Sequence, residues 1–228
     1  MTPSNGGWTQ KILYSFTGGS DGGYPNSLLV GIDGNLYGTA GNGGIRNCYQ
    51  GCGVVFQLGT SGSGWTEQVL YDFTGQLQAG GEEPGSLIQD SSGNFYGLSV
   101  VPADNLYILV FMLSSSNGGW TSSVLYQSPL ILPDGIPWVS GLAIDAAGNV
   151  YLAIGVTNDQ YHDYWGKVIM RPPGGDFSDL WDGYNVHFTA SGPLATDADG
   201  NVYGTTLDCG KYASGTNWGY GTVWEVAH

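Results

Sequence analysis

The chain has 228 residues, 11% of them charged and 13% aromatic, and its 5 basic against 19 acidic residues give a formal net charge of −14. That charge repels nucleic acid and anionic membrane surfaces, leaving cations, neutral polymers or a basic protein as admissible partners. No run of 18 apolar residues argues for membrane insertion, and the opening MTPSNGGW lacks the basic-then-apolar pattern of a leader; sparse charge, abundant aromatics and a closely spaced cysteine pair instead fit a mature extracellular or cell-surface region.

In chain order the first predicted element is a strand over residues 8–16 (WTQKILYSF), followed by four short apolar segments at 27–32, 35–39, 53–58 and 65–73. Gly-rich turns separate them and none carries helical spacing, so all read as strands. The set then repeats. Gly34-Asn35-Leu36-Tyr37 returns as Gly93-Asn94-Phe95-Tyr96, Gly148-Asn149-Val150-Tyr151 and Gly200-Asn201-Val202-Tyr203, at offsets of 59, 55 and 52 residues. The phrase at 8–16 returns at 65–73 (WTEQVLYDF) and 120–128 (WTSSVLYQS), with a degraded copy near 177–184. A repeat of four antiparallel strands is a propeller blade. The expected fold is therefore all-β: one β-propeller domain over 1–228, with blades at 27–73, 86–128, 141–184 and 193–226. The last blade lacks a fourth strand, and residues 8–16 are expected to supply it and close the ring. The alternatives are donation of that strand to a neighbouring molecule, giving a swapped oligomer rather than a monomer, or a longer parent array.

Asp90, Asp145 and Asp197 stand three residues before the Gly of each Gly-Asn pair, where repeat one has Gly31. They read as turn carboxylates that accept backbone N–H bonds. Asp197 with Asp199 also alternates oxygens as a calcium loop does, although the distal Glu of an EF-hand is missing. A second acidic set, Asp21, Glu83 (beside Glu82) and Asp134, precedes Pro25, Pro84 and Pro137 on connections that approach the propeller axis, where it either rings a channel mouth and holds a cation such as calcium or forms solvated turns. Cys48 and Cys52 are close enough for a small disulfide. Cys209 is expected to remain a free thiol, the alternative being a three-cysteine zinc site for which no fourth ligand is evident. No other cofactor is indicated.

Most aromatics recur in register and read as blade packing, among them Trp8, Trp65, Trp120 and Trp224. The remainder includes Tyr24, Tyr49, Tyr107, Trp138, Tyr161, Tyr164, Trp165, Tyr212, Trp218 and Tyr220, at or beside the connections between second and third strands or between blades. Strand alternation brings both kinds of connection to one face of the disc. With His162 in the cluster at 159–165, that face suits stacking on sugar rings or anchoring a protein. The leading expectation is a non-enzymatic binding module for carbohydrate or a cell-surface polymer. The alternatives are a hydrolase or lyase centred on Asp134, Asp159 and His162, and a structural fibre protein joined by strand exchange.

The phrases WTxxxLYxFTGGSDGGYPxSLL, D-x-x-G-N-x-Y-G-T and G-x-V-F resemble those of the choice-of-anchor tandem-repeat GloVer-containing proteins of bacteria. The resemblance spans nearly the whole chain, and LSVVPADNLYILVF and AIGVTNDQYHDYWGKVIM depart from it in repeats two and three. It implies export to the cell surface and a propeller-like fold, and it carries over no catalytic residue.

Overall fold

The computed structural model describes residues 2–4, 7–62, 64–101, 107–116, 118–129, 136–158, 163–183, 190–206 and 220–227; at 2–4, 7, 129, 136–140, 156–158, 163–165 and 190–191 it describes the backbone only. A small hairpin, β1 (Thr2–Ser4) with β2 (Gly7–Thr9), comes first. Four antiparallel sheets follow, each a run of β-branched and aromatic segments cut by Gly-rich turns. The first holds β3 (Gly23–Val30), β4 (Leu36–Asn42), β5 (Val54–Ser61) and β6 (Gly64–Asp72). The second holds β7 (Leu87–Gln89), β8 (Phe95–Val101), β9 (Tyr107–Ser116) and β10 (Gly119–Pro129), and the third β11 (Ile136–Ile144), β12 (Val150–Asn158), β13 (Asp163–Arg171) and β14 (Ser178–Asp182). The fourth holds β15 (Ala190–Thr196), β16 (Val202–Thr206) and β17 (Thr222–Val226). Strand order follows chain order within every sheet, and the sheets are arranged as the blades of a four-bladed β-propeller.

The repeated glycine after the motif tyrosine has a packing cause. Gly38 pairs with Phe56 across β4 and β5, Gly97 with Phe111 across β8 and β9, and Gly204 with Trp224 across β16 and β17. A Cβ on these glycines would come within 2.6, 2.3 and 2.1 Å of the paired ring. Blade three solves the same space differently: Leu152 faces Ile169, and both are buried. One large aromatic over a glycine is thus exchanged for two aliphatic side chains, a swap that conserves volume.

Successive blades bury one face each against the next. Tyr37 and Val55 of blade one meet Leu87, Phe95 and Phe111 of blade two. Tyr96 and Val110 of blade two meet Leu142, Leu152 and Ile169 of blade three. Tyr151 and Val168 of blade three meet Val202 of blade four. Polar staples fix the seams: Asn26 donates to the Pro84 carbonyl at 2.9 Å, the Ile32 amide donates to Gln89 at 2.9 Å, and the Thr196 hydroxyl donates to the Ile144 carbonyl at 3.0 Å.

The N-terminal segment was expected to close the ring as the fourth strand of blade four. Its pairing with β17 is not among the described pairings, and the fourth sheet shows three strands. Residues 14–16 lie against blade one, where Tyr14 and Phe16 pack on the cluster of Ala40, Val54, Phe56 and Leu58. Tyr14 and Phe16 sit edge-on at 5.0 Å and Phe16 meets Phe56 at 4.8 Å. Tyr71 and Phe73 repeat the first contact at 5.1 Å, and Phe73 meets Phe111 at 5.1 Å. The segment therefore occupies, against blade one, the place that the last strand of blade one occupies against blade two. Trp8, expected to pack between blades, is 69% exposed and stands in β2 opposite Pro3 of the small hairpin, outside the four blade sheets.

Candidate functional site

The turns on the two faces of the disc do different things. On one face, each turn between the first two strands of a blade is closed by its own aspartate. Asp145 accepts from the Asn149 amide at 2.9 Å, the Asn149 side chain at 2.7 Å and the Tyr151 hydroxyl at 2.8 Å. Asp90 and Asp197 make the same set with Asn94 and Tyr96 and with Asn201 and Tyr203. Burial opposes the charge on Asp145, but the bonds from Asn149 and Tyr151 outweigh it and hold the carboxyl below 3.8. Blade one, lacking an aspartate at Gly31, uses Asp33: it accepts from Asn35 at 3.1 and 2.7 Å and from Tyr37 at 2.7 Å. Sequence reasoning at a fixed offset missed it. Gly31 is required there because its Cβ would lie 2.4 Å from the Tyr37 ring. Asp197 also accepts from the Asp199 amide at 3.0 Å. Its oxygens face donors, the arrangement of a turn carboxylate.

The other face carries the connections between second and third strands and between blades. In blade one these interlock. The Gly44 amide donates to Gly19 at 2.9 Å, the Gly53 amide to Gly43 at 3.1 Å and the Glu83 amide to Cys52 at 3.1 Å. Cys48 and Cys52 form a disulfide with S–S 2.03 Å and Cα atoms 5.0 Å apart, stapling the loop that spans them. The Glu82 carboxylate lies within 4.8 Å of both sulfurs. Because the sulfurs are bonded to each other they supply no thiolate to a metal, so the trio offers a single carboxylate. Burial, and then the charge of Glu83, push the Glu82 carboxyl up.

Of the expected acidic ring, Asp21 and Glu83 are among the described residues. Asp21 is spent on its own loop, accepting from the Tyr14 hydroxyl at 2.9 Å and the Thr17 amide at 2.8 Å. Burial opposes that charge too, and the Thr17 and Tyr14 bonds overcome it, holding the carboxyl low. Glu83 is exposed, and Asp134 lies outside the described residues.

The aromatics expected on this face divide in the same way. Tyr24, Tyr49 and Tyr220 are 76%, 91% and 82% exposed. Trp138 holds a β11 position opposite Gly155, and Tyr164 and Trp165 hold β13 positions opposite Thr157 and Val156. Tyr161, His162, Trp218, Tyr212, Asp159 and Cys209 lie outside the described residues.

A cleft of about 360 Å³ opens between the Gly18–Tyr24 and Asn42–Gly51 stretches, lined by Tyr24, Asn42, Arg46, Cys48 and Gln50. Asn42 donates to Gln50 at 2.6 Å across it. Tyr24, Gln50 and Glu83 adopt φ of 54°, 67° and 48°, the only non-glycine residues in the left-handed region among those described. All three belong to this face. Non-glycine residues there cost about 1–3 kcal/mol each and persist where the surroundings over-determine them. The connections are accordingly stiff, held by a disulfide and by hydrogen bonds between loops, and they carry exposed rings. Neither the positive φ values nor Arg46 could be singled out from the sequence, since no glycine or repeat marks them.

No family model matches the chain, and neither does any curated protein. Among solved structures, a candidate gluconolactonase aligns at 18% identity and TM-score 0.49 over 89% of this chain and 58% of its own. A protein of unknown function from Dyadobacter fermentans aligns at 14% identity and TM-score 0.49, over 80% of this chain and 61% of its own. A luciferin-regenerating enzyme aligns at 15% identity and TM-score 0.46, over 90% and 61%. The chain thus spans less than two thirds of the length of each of them.

Proposed function

We propose that this chain is a binding module of the cell exterior, related to the choice-of-anchor tandem-repeat GloVer-containing proteins that its motifs resemble, and that its ligand is carbohydrate or a polyhydroxylated surface polymer. The observation that carries this reading is the concentration of exposed tyrosines and left-handed non-glycine residues on one stapled face, beside a polar cleft. A tyrosine ring stacks on the apolar face of a sugar while its hydroxyl stays solvated. Asn42, Gln50 and Arg46 supply amide and guanidinium groups for the equatorial hydroxyls or for a sugar carboxylate. Loops that are already ordered lose little entropy on binding. The low basic content agrees with a ligand that is not a polyanion of nucleic-acid type.

The test is a glycan array carrying neutral and uronic-acid glycans, probed with the wild type and with Tyr24→Ala and Tyr49→Ala. Each substitution is expected to weaken binding about tenfold, equivalent to about 1.4 kcal/mol, at unchanged melting temperature, since both side chains are exposed. Retention of no glycan, or binding indifferent to both substitutions, contradicts the proposal.

A further inference from the structure

The three seams inside the chain supply a template for a fourth. Each is built from a back position on the third strand of one blade and a front position on the first strand of the next. The back position is valine every time: Val55, Val110 and Val168, all 0% exposed. The pairing Thr39–Val55, Leu98–Val110 and Ala153–Val168 is continued by Thr205–Val223 in blade four. Val223 is 81% exposed. The front position is leucine: Leu87 and Leu142 are 5% and 4% exposed and Leu194 packs half-buried on the third seam, whereas their counterpart Leu28 in blade one is 61% exposed. The two halves of one seam thus stand uncovered at opposite ends of the same chain.

The front of blade one is also partly prepared. Tyr14 and Phe16 already lie where the last strand of a preceding blade belongs, reproducing the Tyr71–Phe73–Phe111 contacts. The place of a preceding blade's last strand is thereby filled from within the chain, so the blade that best matches this front brings three strands of its own; among the described residues the β15–β16–β17 sheet has three, with β17 at its edge.

We propose that a second copy of this chain docks head to tail, the back of its blade four, with Val223, seating on the front of blade one, with Leu28, so that β17 of one copy lies beside residues 10–16 of the other. The interface continues the seam that the chain already makes three times. It joins two different surfaces, so it is heterologous: two copies give a closed ring if the rotation allows, and longer head-to-tail assemblies if it does not. Burying valine and leucine positions left open in the single chain supplies the driving force.

The experiment is size-exclusion chromatography with light scattering up to millimolar concentration, on the full chain and on Leu28→Glu and Val223→Glu, with circular dichroism and thermal melting alongside. The wild type is expected to exceed the 24.0 kDa of one chain. Each variant alone is expected to be monomeric and to melt no lower than a wild-type monomer. Their equimolar mixture is expected to form a one-to-one dimer, because the intact front of Val223→Glu meets the intact back of Leu28→Glu. Several results overturn the proposal: a wild type monomeric at every concentration, variants that still oligomerise, a mixture that stays monomeric, or a variant that loses its fold or melts early as a monomer. The last would mean that the two faces meet within one chain.

Discussion

The aspartate turns are small electrostatic devices whose contribution can be measured one at a time. Asp145 accepts three bonds from Asn149 and Tyr151, and Tyr151 is fully buried. Asp145→Ala leaves that hydroxyl and an amide without their acceptor and is expected to destabilise the fold by about 2 kcal/mol in chemical denaturation. Its carboxyl is held below 3.8, so its contribution is present above that pH and is lost as pH falls through the folded value. Glu67 works the opposite way. Burial first, then the charges of Asp21 and Asp72, raise its carboxyl from 4.5 to about 7, so its neutral form is favoured in the fold. That stabilisation is complete below pH 4.5 and fades as pH rises toward 7. Glu67→Gln should therefore flatten the pH dependence of the melting temperature across this window and raise the melting temperature at alkaline pH; an unchanged profile would refute the assignment. The turn carboxylates were legible because D-x-x-G-N-x-Y recurs. Asp33 was not, because it reaches the same partners from two residues nearer, a substitution that only the placement of the Tyr37 hydroxyl reveals.

Among the elements, the glycine-over-aromatic pair accounts for a motif residue that looks like a turn signal and is a packing constraint. Gly97→Ala drives a methyl into the Phe111 ring and is expected to cost about 1–3 kcal/mol, whereas Gly93→Ala, whose Cβ would meet only Ile32 Cδ1 at an ordinary 3.8 Å, acts through its φ of 86°. Equilibrium denaturation of Gly97→Ala and of Gly97→Ala with Phe111→Leu checks the cause: the second change should restore part of the loss. The strands and their order were visible in the apolar segments and their turns. The cross-strand register that sets each glycine under a ring was not, because the apolar pattern of two strands does not say which residue of one stands opposite which residue of the other, as Gly38 does Phe56 and Gly97 does Phe111. The loop elements behave likewise. The cysteine spacing announced the disulfide, while the left-handed Tyr24 and Glu83 gave no sequence signal. Cys48→Ser with Cys52→Ser removes a short cross-link worth about 2 kcal/mol by chain entropy and is expected to weaken glycan binding as well, since it frees the loop carrying Tyr49. Stability lost with binding intact would separate the staple from the site.

For the whole molecule, the repeat announced a propeller because stacking four like units buries one continuous series of seams. How the series ends was beyond the sequence, since the same d-type segment at 8–16 suits the chain's own last blade or a neighbour's, and only the exposure of Leu28 and Val223 distinguishes covered from open seams. The division of the disc into a repetitive face and a stapled, tyrosine-bearing face is the basis of the functional reading. Hydrogen exchange measured by mass spectrometry, with and without a saturating glycan taken from the array, tests that division most directly. Slowed exchange over 18–24 and 43–53, with no change at the aspartate turns 31–35, 90–94 and 145–149, is the predicted result; protection centred on those turns, or none anywhere, would contradict it.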